Sequence, residues 1–380
     1  MSDRTYDDHP RVRPLLEAWA LGVCAPEEAA LVEEHLGGCD GCGAELRELD
    51  AALSALYASE ELEPPATLRS EVLGVCLSSR SPQVAVPDYA QPYDNETARL
   101  DTLLRNLTGE QWGAPVDLEW RQEEKSAERR TSVSGVLGHL LAVDGMVSAS
   151  LGLPDPLGDQ DKAVGPDLRT EEMWRQLDGD GPGSVDPAAG DDARRTWREH
   201  AYELIRTCAF GGGGVADIPV PYGEGVVLPL RLAMLDRAFE TWIHATDIAD
   251  AVQHPYPPPV PEHLRTLISV AVQMLPSVLS ARRQAGLAAP PRPVTDPGAP
   301  ARSVRLEIEG ESGGEWYLPV DVPEGPAGAD NCVGRVTLPE VVFCRLAAGH
   351  IDPEAAAADH TGDSAAVREL LYAVASMSRL

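Results

Sequence analysis

Thiol and imidazole donors stand at metal-ligand spacing near the amino end of the chain. His35-Leu-Gly-Gly-Cys39-Asp-Gly-Cys42 places a histidine four residues ahead of a Cys-x-x-Cys pair. Two cysteines with two residues between them chelate one ion from a tight turn, which Gly41 eases. Structural zinc takes four nitrogen or sulfur donors in a closed tetrahedron, so one more donor is required. His9, just ahead of the first expected helix, is the foremost candidate; Cys24 and Cys76 are the others.

A second set lies further along. Glu240 and His244 are four residues apart in a long apolar stretch, which puts them on one helix face. His139 has Val136, Val143 and Met146 at helical spacing around it, on a stripe that faces a core. Two histidines and one glutamate leave a coordination position open for water or substrate, the pattern of a catalytic rather than a structural ion. Asp144 and Asp247 are near enough to act as outer acceptors for the histidines. Against this stands the plain alternative of a solvated Glu–His pair and a satisfied core histidine.

Helices must hold both sets. Pro26-Glu27-Glu28 opens a helix, with proline in the first turn and carboxylates at the positive end of the dipole. It runs to about Leu36, and a second runs from about Cys42 to Tyr57. One more amphipathic segment is expected at Ala66–Leu77. Residues 1–80 form a first domain, and the proline-rich stretch 81–93 reads as a linker. Residues 94–253 hold four apolar helices, at about 97–107, 134–151, 194–209 and 228–252. Residues 254–380 mix a helix at 263–282, strands at 304–308 and 315–320, and a last helix at 365–376, giving a small α+β domain. The fold class is mainly α.

Bulk properties narrow the partners. The chain of 380 residues has a formal charge of −30, which argues against direct nucleic-acid binding because phosphate needs clustered basic residues. In residues 1–80 six arginines face sixteen carboxylates, a balance that suits a basic protein partner. The amino terminus lacks a basic, then apolar, export signal, and the most apolar run, 267–281, is broken by Gln273 and Pro276. A cytoplasmic location away from the membrane is the expectation, and the seven cysteines then read as thiols or ligands rather than disulfides.

The stretch from Ala20 to Leu46, with Pro64-Pro65-Ala-Thr-Leu-Arg69 after it, resembles the zinc-binding anti-sigma domain of bacteria. That resemblance implies a partner, an extracytoplasmic-function sigma factor, wrapped and kept from polymerase. Thiol-switching relatives carry a cysteine where this chain has His9, which disfavours zinc release by disulfide formation and leaves Cys24 as a partner for Cys39 or Cys42. Ser134-Gly-Val-Leu-Gly-His139 and Arg237-Ala-Phe-Glu240-Thr-Trp-Ile-His244 resemble the mycothiol-dependent maleylpyruvate isomerase family, whose members are DinB-like four-helix bundles. The resemblance implies a second zinc on His139, Glu240 and His244 that binds the mycothiol thiolate. The piece Phe343-Cys-Arg345-Leu-Ala-Ala-Gly-His350 is similar to that family's small carboxy-terminal domain and implies that Arg345 holds a substrate carboxylate, or else lies idle on the surface. Two functions are then expected: an anti-sigma factor whose isomerase-like part senses a small molecule or thiol, or a mycothiol-dependent isomerase or transferase. A scaffold whose bundle lacks metal is a third.

Overall fold

The computed structural model describes residues 9–57, Leu68, Val72, 85–122, 124–158, 165–177, 187–223, 225–289, 302–320, 327–356 and 360–378. The chain divides into two compact units, Met1–Gln83 and Val84–Leu380. The expected segment at 66–77 lies outside the described residues apart from Leu68 and Val72, which are helical and exposed; Cys76 lies outside them too.

The first unit holds helices α1 (His9–Val12), α2 (Leu16–Ala20), α3 (Pro26–Leu36) and α4 (Asp40–Tyr57). Helix α3 starts where proline and the two glutamates require, and the Glu28 carboxylate accepts from the Ala25 N–H at 3.1 Å. Among the described residues the core is small: Val12, Leu16, Val32 and Cys42 are buried, with Leu15, Trp19, Leu31 and Leu49 partly buried around them. So little apolar burial leaves a folding role for a bound metal.

In the second unit, α5 (Gln91–Arg105), α7 (Val133–Ser150), α9 (Pro187–Gly211) and α10 (Leu230–Ala251) form a four-helix bundle in which each helix packs on two others. Helix α6 (Gly109–Trp112) and the hairpin of β1 (Pro115–Gln122) with β2 (Lys125–Ser132) join α5 to α7. Helix α8 (Pro166–Leu177) lies on α7, and the hairpin of β3 (Pro219–Gly223) with β4 (Val226–Pro229) leads into α10. The sequence pattern misses these pieces. Strand β2 reads Lys-Ser-Ala-Glu-Arg-Arg-Thr-Ser and has no buried residue, so it offers no apolar alternation to detect. Two boundaries also differ from expectation. Residues 91–93 are not linker: Pro92 sits in the first turn of α5 and Tyr93 is fully buried. The bundle and the region after residue 253 lie in one compact unit, and Trp242 and Ile243 of α10 sit in the core of the carboxy-terminal sheet.

That sheet has the order β6-β5-β7-β8. Strand β5 (Ser303–Glu309) is antiparallel to β6 (Gly314–Pro319) and parallel to β7 (Cys332–Pro339), which pairs antiparallel with β8 (His360–Gly362). Helices α11 (Pro261–Gln284), α12 (Glu340–Ala347), α13 (Pro353–Ala356) and α14 (Ser364–Ala375) complete the region. Among the described residues α7 and α11 are long and apolar enough to cross a membrane, which the interrupted run at 267–281 does not suggest. The α7 window is 78% buried, as the central helix of the bundle, and α11 sets Leu264, Ile268, Val272, Leu275 and Leu279 into the core of the sheet.

Candidate metal centres

The first centre gathers four donors from three helix ends. His9 begins α1, His35 lies in the last turn of α3, Cys39 immediately precedes α4 and Cys42 is in its first turn. Their donor atoms all lie within 4.8 Å of one another. The His9 Nδ1 is 3.5 Å from Cys39 Sγ and 3.3 Å from Cys42 Sγ. Zn–S of about 2.3 Å and Zn–N of about 2.0 Å give a tetrahedral edge of roughly 3.5 Å, so the spacing fits the ion. His35 is buried, and both its ring nitrogens lack a hydrogen-bond partner, a cost that a metal bond would remove. Backbone N–H groups of Cys42 and Gly41 hold the Cys39 thiol below its ordinary pKa, as a helix N-terminus does. Burial and the neighbouring Cys39 push Cys42 up. Cys24 is not in the cluster; its thiol points at the Leu15 carbonyl, 3.7 Å away.

The second centre sits inside the bundle. His139 on α7 and Glu240 and His244 on α10 bring their donor atoms within 4.8 Å of one another. Glu240 Oε2 is 3.4 Å from His244 Nε2 and 3.9 Å from His139 Nε2, and the two rings meet edge to face at 4.7 Å. Both Nε2 atoms are buried without a well-formed hydrogen bond. The Nδ1 atoms, in contrast, are tied. His244 Nδ1 lies 2.9 Å from Asp247 Oδ2, and His139 Nδ1 lies 2.8 Å from Thr170 Oγ1. The Thr170 hydroxyl already donates to the Pro166 carbonyl, so it accepts from His139 and leaves that ring's Nε2 lone pair facing Glu240. Histidine ligands with the far nitrogen anchored by an oxygen are the outer arrangement of metal sites. The residues fit an ion.

Charges in the centre are pulled in different directions. Burial drops the His139 pKa to about 4. Burial also opposes charge on His244, but Asp247 and Glu240 outweigh it and raise that pKa to about 9. Burial works against ionising Glu240 too, yet His139, His244 and Arg237 together hold its carboxyl well below the usual carboxylate range. With Glu240 ionised and His139 neutral, two of the donors are already in the ligating form.

Other residues near the centre fall elsewhere than the sequence suggests, or escape it altogether. Asp247 is the outer acceptor expected; Asp144 is not. It accepts from Arg237 Nε at 2.8 Å and Tyr93 Oη at 2.6 Å, a buried ion pair that ties α5, α7 and α10 together below the centre. Thr170 is missed because α8 itself is missed. Gly138 eases its approach: a Cβ there would meet Leu177 Cδ1 at 2.6 Å and Met173 Cγ at 3.3 Å, so those side chains would have to shift. Arg345 is exposed and lines a cavity of about 290 Å³ with Asp117, Glu119, Asp247, Asp250 and His350. That cavity reaches the Asp247 side of the centre and does not include Glu240.

Comparison with known proteins adds a family to one of these sites. Residues 11–43 match the family described as "Putative zinc-finger", a span that contains His35, Cys39 and Cys42 and begins just after His9. Together with the four-donor cluster, this supports a zinc site in the first unit. Among solved structures the chain is similar to a mutant of the mycothiol-dependent maleylpyruvate isomerase, with 15% identity and a TM-score of 0.39 over 70% of this chain and 89% of that one. No curated protein matches the chain. The chain thus joins a zinc-finger segment to a larger, mainly helical unit.

Proposed function

We propose that this chain is a cytoplasmic anti-sigma factor that regulates transcription, in which the first unit sequesters an extracytoplasmic-function sigma factor and the second unit is a metal-dependent sensor. The observation that carries the reading is the four-donor cluster His9, His35, Cys39 and Cys42 inside a segment matching a zinc-finger family. The acidic balance of residues 1–80 suits a basic partner and would speed its capture. Zinc there acts by holding α1, α3 and α4 in one arrangement around a core too small to do so alone. The test is co-purification of the full chain with the sigma factors of its host. The wild type should retain one, and His35→Ala or Cys39→Ala should lose it. A wild type that retains none overturns the reading.

A second reading, a mycothiol-dependent isomerase or thiol transferase, is favoured by the His139–Glu240–His244 set with its two unpartnered Nε2 atoms. A zinc ion held there would supply a Lewis acid that stabilises a thiolate. The chain's own part would be to orient both imidazoles through Thr170 and Asp247 and to keep the centre dry. Turnover of maleylpyruvate with mycothiol, abolished in His244→Ala, would establish this reading; no turnover with two metals bound would leave the sensor.

A further inference from the structure

Beside the second centre, a narrow cleft of about 70 Å³ opens between α10 and α11 and has Glu240 in its wall. Leu235 and Phe239 of α10, Leu267, Val270 and Met274 of α11, and Met377 near the carboxy end are among its lining. Among the described residues that line it, the charged ones are Glu240 and Asp236.

We propose that this cleft receives a small molecule with an uncharged apolar body and a single monoanionic head, which completes the coordination of an ion held by His139, Glu240 and His244. The proposal rests on reading those three residues as metal ligands. The apolar walls set the body: side chains of leucine, valine, methionine and phenylalanine gain from covering a hydrocarbon and offer nothing to a polar one. Charge sets the head. A divalent ion with two neutral imidazoles and one carboxylate keeps one positive charge, which a single anion cancels. A dianion would carry a second negative charge beyond that balance, among described walls that are mostly apolar. Asp247, the other carboxylate at the centre, lines the separate cavity with Arg345, away from these walls. Carboxylate and thiolate heads both meet the requirement, so the two sources are separated by experiment.

The full chain is loaded with Co²⁺, and the visible bands that depend on the second centre are identified as those lost in His244→Ala. Straight-chain carboxylates from acetate to octanoate form one arm of the titration, 2-mercaptoethanol and octanethiol the other, and succinate serves as the dianion. The expected result is that the half-saturating concentration falls about fourfold per added methylene in the arm that matches the natural head, while succinate is no better than acetate. A thiol head adds a sulfur-to-cobalt charge-transfer band and a carboxylate does not. Ala271→Trp should flatten the series with bound cobalt unchanged. Equal affinity for acetate and octanoate, and for the short and long thiols, overturns the proposal and leaves the metal reading standing. An octanoate response that survives in His244→Ala also overturns it, because binding is then independent of the ion. Absence of any His244-dependent cobalt overturns the metal reading itself.

Discussion

Thr170 Oγ1 stands 2.8 Å from His139 Nδ1 and fixes which nitrogen of that ring is free to bind. Replacing the acceptor by an isosteric methyl group leaves the ring packed but its tautomer unset. Thr170→Val should weaken metal at the second centre by about 10- to 100-fold, and Asp247→Asn should do the same through His244. Chelator competition monitored at the second centre checks both; an unchanged affinity in both would mean that the Nδ1 contacts do not orient ligands.

Two metal ions per chain are expected, and the centres should empty independently. Elemental analysis of His244→Ala should return one ion fewer, and Cys42→Ser should return one fewer by losing the other. One ion in the wild type, removed by Cys42→Ser and untouched by His244→Ala, would mean that the bundle does not hold metal.

The Arg237–Asp144 pair is almost wholly removed from water, with side-chain exposures of 1% and 0%. Desolvation limits what such a pair contributes as a whole, but breaking it strands a charge. Arg237→Met should therefore destabilise the second unit by about 3–5 kcal/mol, whereas Tyr93→Phe, which leaves the ion pair, should cost less, about 1.5–3 kcal/mol. Denaturant unfolding of the variants checks the ratio.

Helix α14 is capped by Asp363, which accepts from Ala365 N at 3.1 Å and Ala366 N at 3.2 Å and pairs with Arg302 at 3.0 Å. The Ala366 N–H, foremost, and the Arg302 guanidinium lower the Asp363 pKa. A carboxylate whose pKa is lower folded than unfolded stabilises the fold above its unfolded value, near 3.8, and that contribution disappears as pH falls through the lower folded value. Asp363→Ala should thus cost about 1 kcal/mol at neutral pH, and the difference from wild type should close as pH falls from 3.8 through the lowered folded pKa. A difference that persists in acid would mean the loss came from packing.

The spacing of His35, Cys39 and Cys42 and the four-residue step from Glu240 to His244 are readable in the sequence because metal chelation and helix geometry both impose fixed separations. The four long bundle helices are readable from their apolar content. His9 is preferred to Cys24 already by its place just ahead of the first helix, and the folded chain adds the reason Cys24 is left out, its thiol turned toward the Leu15 carbonyl. Asp144 misleads because a residue five positions after His139 on a helix lies on a different face, where Arg237 and Tyr93 meet it. Thr170 is invisible because α8 buries Arg169 and Thr170 beside Met173 and Trp174, a mixed face with weak apolar periodicity.

Helix α10 bears Glu240 and His244, yet it also supplies Leu230, Met234 and Ala238 to one apolar core, Ala245 and Ile248 to a second, and Trp242 and Ile243 to the core beneath the carboxy-terminal sheet. Protein interiors are packed about as densely as organic crystals, so a rod embedded in three of them cannot rotate within one alone. The face of α10 that bears Glu240 and His244 is therefore a lever whose far arm is the β5–β7 sheet: an ångström of adjustment at Glu240 becomes a repacking problem for Trp242.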